Sequence, residues 1–113
     1  INSEILNSNF NFSLFNLLTD LDLSKNEIET FNLNAFNFNL NTKYILVLSD
    51  NNIKKISSSL RIDDLIIENN LLDSIDFDIS IINSRNIDLK NNSLKYFDFQ
   101  LMPLLTQLES LNL

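Results

Sequence analysis

The side chains able to do chemistry in this chain are almost all carboxylates. Asp20-Leu21-Asp22, Asp63-Asp64 and Asp76-Phe77-Asp78 place acidic groups one or two residues apart. Two carboxylates facing one substrate can hydrolyse a glycoside, and several converging on one loop can hold calcium. Neither chemistry is specified here. Asp20 and Asp22 alternate about a leucine, and Asp76 and Asp78 flank Phe77 in the same way, the pattern of a solvated strand face. No loop carries a complete set of calcium ligands. The chain has no histidine, no cysteine and no glycine. A Ser-His-Asp or Cys-His arrangement, an imidazole or thiolate metal site and a glycine-rich phosphate loop are therefore excluded within it. The expectation is a protein without catalytic residues, cofactor or metal.

Two Asn-x-Ser sequons, Asn11-Phe12-Ser13 and Asn91-Asn92-Ser93, would matter only in the secretory pathway. In a chain this rich in asparagine and serine they also arise by chance. Nothing identifies a thiol-dependent compartment, because cysteine is absent.

The 113 residues suit one domain with a modest core, and 44% apolar content is ordinary for a globular chain. The net charge is −7 and the pI about 4.3. Such a surface repels phosphate backbones and anionic membranes, so nucleic acid is not an expected partner, and a partner with a basic patch is favoured. The longest continuous apolar run, Tyr44 to Leu48, is too short to span a bilayer. The chain begins at Ile1 without a signal-peptide pattern. That suggests processing, or a piece cut from something longer.

The elements that must position these residues emerge from an internal period. Leu18-Thr19-Asp20-Leu21-Asp22-Leu23-Ser24-Lys25-Asn26-Glu27-Ile28 reads LxxLxLxxNxI. The frame returns at Leu46, Leu48, Asn51, Ile53 and Ile56, with Lys43 in the first leucine slot. It returns complete at Ile62, Leu65, Ile67, Asn70, Leu72 and Ile75. It returns again at Ile87, Leu89, Asn92, Leu94 and Phe97, with Ser84 in the first slot, and reopens at Leu108, Leu111 and Leu113. The frame residues Leu23, Leu48, Ile67, Leu89 and Leu113 recur at steps of 25, 19, 22 and 24 residues.

In this pattern the chain resembles the leucine-rich-repeat family across nearly all of residues 18–113. The resemblance implies an α/β solenoid, a right-handed superhelix with a parallel concave sheet and a mostly irregular, Phe-rich convex side. It divides one domain into repeats at 18–42, 43–61, 62–83 and 84–107, with another opening at 108–113. Residues 1–17 read as a degenerate first copy, with Ile1, Leu6 and Phe10 as its remnant and Glu4 where asparagine should stand. The abrupt ends suggest a fragment of a longer array. Phe31, Phe36, Phe38, Phe77, Phe97 and Phe99 would stack behind the sheet as core. A short helical turn is expected around Pro103 to Leu108.

Within a copy such as Leu21-Asp22-Leu23, side chains alternate, so the leucines point inward and the residue between them outward. After the strand the backbone turns in and leaves amides unpaired. Asn26, Asn51, Asn70 and Asn92 are expected to satisfy them as a buried ladder, since an asparagine side chain offers two donors and an acceptor. Without glycine, turns with positive φ must use other residues, and Asn, Asp and Ser are the expected ones.

In this family the concave face usually carries the partner. The frame puts Asp20, Asp22, Ile45, Val47, Asp64, Ile66, Glu68 and Asp88 there, with Ile45, Val47 and Ile66 as an apolar patch and the acids around it. An apolar patch with a charged rim is the anatomy of a protein interface. A slipped frame in the Lys43 copy would instead turn Ile45 and Val47 inward. The resemblance thus implies a protein-interaction scaffold. Its Phe-rich side and repeat lengths are similar to extracellular receptor and innate-immunity members, which favours the outside of the cell. The alternatives are an intracellular regulatory subunit or adaptor, and an assembly module whose exposed solenoid edges stack chain on chain as a homo-oligomer.

Overall fold

The computed structural model describes residues 18–32, 43–57, 62–74, 84–95 and 106–113, and at 31, 32, 56 and 57 the backbone only. Seven three-residue strands lie among them: β1 (Asp20–Asp22), β2 (Thr30–Asn32), β3 (Ile45–Val47), β4 (Lys55–Ser57), β5 (Asp64–Ile66), β6 (Asn86–Asp88) and β7 (Ser110–Asn112). The described residues contain no helix.

Five strands form one parallel sheet in the order β1-β3-β5-β6-β7. Its register brings Leu21, Leu46, Leu65, Ile87 and Leu111 side by side in a single row. Parallel neighbours need long crossovers, which the intervening segments of 16 to 22 residues supply. No strand could bury its apolar row alone. Together the rows make one core of Leu23, Ile28, Leu46, Leu48, Ile53, Ile62, Leu65, Ile67, Leu72, Ile87 and Leu89, joined by Tyr44. Leu21 and Leu111, on the two outer strands, are half-buried against it.

A second, two-stranded parallel sheet pairs β2 with β4 in the register Thr30 to Lys55, Phe31 to Ile56 and Asn32 to Ser57. The stretches leading from the main sheet toward these strands are also laddered. The N–H groups of Asn52 and Lys54 donate to the carbonyls of Ile28 and Glu29, Leu71 to Ile53, and Ser93 to Leu72. The stretch after the main strand, expected to be mostly irregular, holds a three-residue paired strand in the first two segments. Regular spacing of the main strands carries the following residues along in register.

The expected Phe stack at Phe36, Phe38, Phe77, Phe97 and Phe99 lies outside the described residues, as do Ile75, Asp76, Asp78, residues 1–17 and most of the proposed turn from Pro103. Thr106 and Gln107 form a turn.

Candidate functional site

Four strands of the main sheet, β1, β3, β5 and β6, leave through the same turn. Lys25, Asp50, Asn69 and Asn91 hold φ of 57°, 57°, 56° and 55°, the left-handed region that glycine would ordinarily occupy. Asparagine and aspartate fill three of these positions, as their tolerance of that region leads one to expect. Lys25 fills the fourth against the expectation, and it is the residue for which that conformation is most strained. The N–H groups of Lys25, Asp50 and Asn69 donate to Ser49, Glu68 and Lys90 carbonyls on the next strand, which ties each turn to its neighbour.

The turn aims the following asparagine inward. Nδ2 of Asn70 donates to the carbonyls of Ile67 and Glu68 in its own segment and to Leu48 in the preceding one, at 2.9 to 3.2 Å. Its Oδ1 accepts the Ile53 N–H at 3.0 Å. Asn51 repeats the arrangement, donating to Leu48, Ser49 and Leu23 and accepting from Asn26 and Ile28. Asn92 donates to Leu89 and Ile67 and accepts from Leu72. Asn26 donates to Leu23 and Ser24. Each amide thus closes its own turn, and those of Asn51, Asn70 and Asn92 also clamp the segment before. Asn51 and Asn70 are buried, whereas Asn26 and Asn92, at the outer steps, are half-buried.

On the other side of the strands lie two outward rows. The first runs Asp20, Ile45, Asp64, Asn86, Ser110, and the second Asp22, Val47, Ile66, Asp88, Asn112. Leu46 and Leu65 are buried while Ile45, Val47 and Ile66 are half-buried. The frame through Lys43 is therefore unslipped, and the three apolar residues meet on the outward face. Asp20 and Asp22 are exposed, and Asp64, Glu68 and Asp88 are half-buried. All eight residues assigned to this face from sequence are gathered at or beside it.

The acids of this face differ in their surroundings. Asp64 accepts Nδ2 of Asn86 at 2.6 Å and pairs with the Lys43 ammonium at 3.0 Å. Burial works to raise its pKa, but the Asn86 amide, Lys43 and the charge of Arg85 together hold the carboxyl below its ordinary value. The hydroxyl and N–H of Ser24 likewise lower Asp22, with the N–H at 2.9 Å from Oδ1. Asp88 accepts the Lys90 N–H at 3.1 Å and the Asn112 amide at 3.3 Å. Beside the second row, exposed Asp50, Asn69 and Asn91 form a cross-strand amide ladder at 2.9 Å per step.

Several polar residues take sides that their spacing in the sequence leaves open. The Asp63-Asp64 pair does not converge: Asp63 turns into the interior, 2% exposed, and its Oδ2 accepts the Tyr44 N–H at 2.9 Å, while Asp64 faces out. Lys43, in the first leucine slot of its copy, is exposed, and Tyr44 beside it is buried. Ser84, in the equivalent slot, is buried because its hydroxyl donates to the Ile62 carbonyl. Ser49 is buried too, and its Oγ is the one buried side-chain polar atom without a hydrogen-bond partner among the described residues. Lys43 and Ser84, in slots that otherwise hold leucine or isoleucine, carry no sequence signal that distinguishes a satisfied buried group from an exposed one. Among the described residues no group of acids is placed to hold a metal ion, and no helix is long and apolar enough to cross a membrane.

The chain matches no protein-family model, no curated protein and no solved structure. What the site does must be read from its own geometry.

Proposed function

We propose that this chain is a leucine-rich-repeat module that binds a partner protein on the outward, concave face of its parallel sheet. The observation that carries the reading is the meeting of Ile45, Val47 and Ile66 on adjacent strands, half-exposed and bordered by Asp20, Asp22, Asp64, Glu68 and Asp88. The five-strand parallel sheet and the asparagine clamps support the solenoid that this requires, because stacked copies merge apolar rows that none could bury alone. The module acts by surface complementarity, with no catalytic step and no cofactor. An extracellular recognition role of receptor or immune type fits the resemblance, with an intracellular adaptor as the alternative.

Ile66→Asp tests the reading. The side chain stands on the wet side of β5, so the variant keeps a melting temperature within a few degrees of the parent, while proteins captured by the parent are lost. A large fall in melting temperature would make Ile66 a core residue and remove the binding face.

A further inference from the structure

The second outward row has an order that the first lacks. Across four neighbouring strands it reads acid, apolar, apolar, acid: Asp22 on β1, Val47 on β3, Ile66 on β5 and Asp88 on β6. In the first row the corresponding inner acid, Asp64, is already neutralised by Lys43 at 3.0 Å. The second row keeps both charges. Among the described residues Asp22 and Asp88 accept only neutral donors, the hydroxyl and N–H of Ser24, the N–H of Lys90 and the Asn112 amide. The Lys25 charge lies near Asp22, but among the described residues neither acid has an ion pair, and the two stand at the ends of a short apolar strip.

The spacing of the row sets what fits it. Neighbouring strands lie about 4.8 Å apart, so the two acids are separated by about 14 Å, with Val47 and Ile66 one and two steps in. An extended chain advances about 3.4 Å per residue and turns every second side chain to the same face. Residues i and i+4 of such a chain are then about 13.5 Å apart, and residue i+2 lies midway, between Val47 and Ile66. We infer that the partner segment is an extended stretch lying across the strands, with Lys or Arg at i and i+4 over Asp22 and Asp88, and an apolar side chain at i+2 seated between Val47 and Ile66. This deepens the proposed function and rests on it, since it names the chemistry of the segment that the same face takes. The acidic chain, at net charge −7, adds a long-range attraction toward such a basic segment.

The test uses the isotope-labelled chain and three synthetic peptides of equal length, with cores Lys-Ser-Leu-Ser-Lys, Ser-Lys-Leu-Lys-Ser and Glu-Ser-Leu-Ser-Glu, followed by amide chemical shifts. The first peptide is expected to shift the amides around Asp22, Val47, Ile66 and Asp88. It should bind several-fold more tightly than the second, leave the third without effect, and weaken as salt rises from about 50 to 500 mM. Asp22→Asn with Asp88→Asn, which keeps an acceptor oxygen at both sites, should bring the first peptide down to the level of the second. If that pair fails to fold, Asp22→Asn alone at the fully exposed end should give part of the loss. Equal binding of the first two peptides on this face overturns the spacing and leaves the binding face standing. Binding elsewhere, or no preference for lysine over glutamate, overturns the basic partner. If no peptide binds while Ile66→Asp still loses a captured protein, the inference fails alone. If Ile66→Asp loses nothing as well, the proposed function fails with it.

Discussion

At Ser49 a hydroxyl sits 5% exposed with its Oγ unpaired. A buried polar group without a partner costs about 1–3 kcal/mol relative to one that is satisfied. Ser49→Ala removes the group and leaves only a small void, so the variant should be as stable as the parent or more so, by up to about 1 kcal/mol. Urea denaturation reads this directly, and a clear loss of stability would show that the hydroxyl has a partner in solution. Asp64 makes the opposite case. Its folded-state pKa is depressed, so its carboxylate stabilises the fold above the unfolded value, near 3.8, and that contribution is lost as pH falls from there through the lower folded value. Melting temperatures of parent and Asp64→Asn should differ most above pH 4 and converge as the acid side is approached. A constant gap down to the lowest pH would mean that Asn86, Lys43 and Arg85 do not hold this group.

The element that organises the sheet is the asparagine clamp. Removing the Asn70 side chain orphans the Ile53 N–H and takes a donor from the Leu48 and Ile67 carbonyls in one step. Asn70→Ala should cost roughly 1–3 kcal/mol, toward the upper end, because several buried groups lose partners together. Asn26→Ala, at a half-buried outer step, should cost less, and equal losses in thermal melts would show that position in the ladder does not matter. This element was legible in the sequence because its spacing is rigid: an asparagine three residues after a buried leucine has one direction to point once the strand is placed. The main strands were legible for a related reason, since apolar residues alternating about one outward residue mark a half-buried strand. The pairing of β2 with β4 was not. Thr30-Phe31-Asn32 and Lys55-Ile56-Ser57 each hold one apolar residue between polar ones, too short a pattern to separate a strand from a loop. Nor could Tyr44 be preferred over Lys43 as the inward residue, or Asp63 separated from Asp64. Those choices depend on which backbone groups the neighbouring segment presents, and they become visible only when Asp63 is seen to cap the Tyr44 N–H.

At the scale of the molecule, one core of the described residues runs through all five strands of the main sheet, and its members depend unequally on their neighbours. Leu65 is 1% exposed and stands between Leu46 and Ile87 in the buried row. Leu111 is half-buried and, among the described residues, has Ile87 on one side only. Truncating a leucine in a close-packed interior removes its contacts and leaves a cavity, at about 2–5 kcal/mol. For a domain this small, with total stability on the order of 5–15 kcal/mol, that is a large share. Leu65→Ala should therefore depress the denaturation midpoint of the entire sheet, because the central row is what lets β1 and β3 share a core with β6 and β7. Leu111→Ala should cost well under half as much and loosen β7 alone. Amide exchange distinguishes the two: the central variant should raise exchange from β1 through β7 together, and the edge variant only at β7 and the face of β6 beside it. If Leu65→Ala raised exchange in β5 alone, the rows would be independent, and the core would be a set of local contacts instead of one cooperative interior.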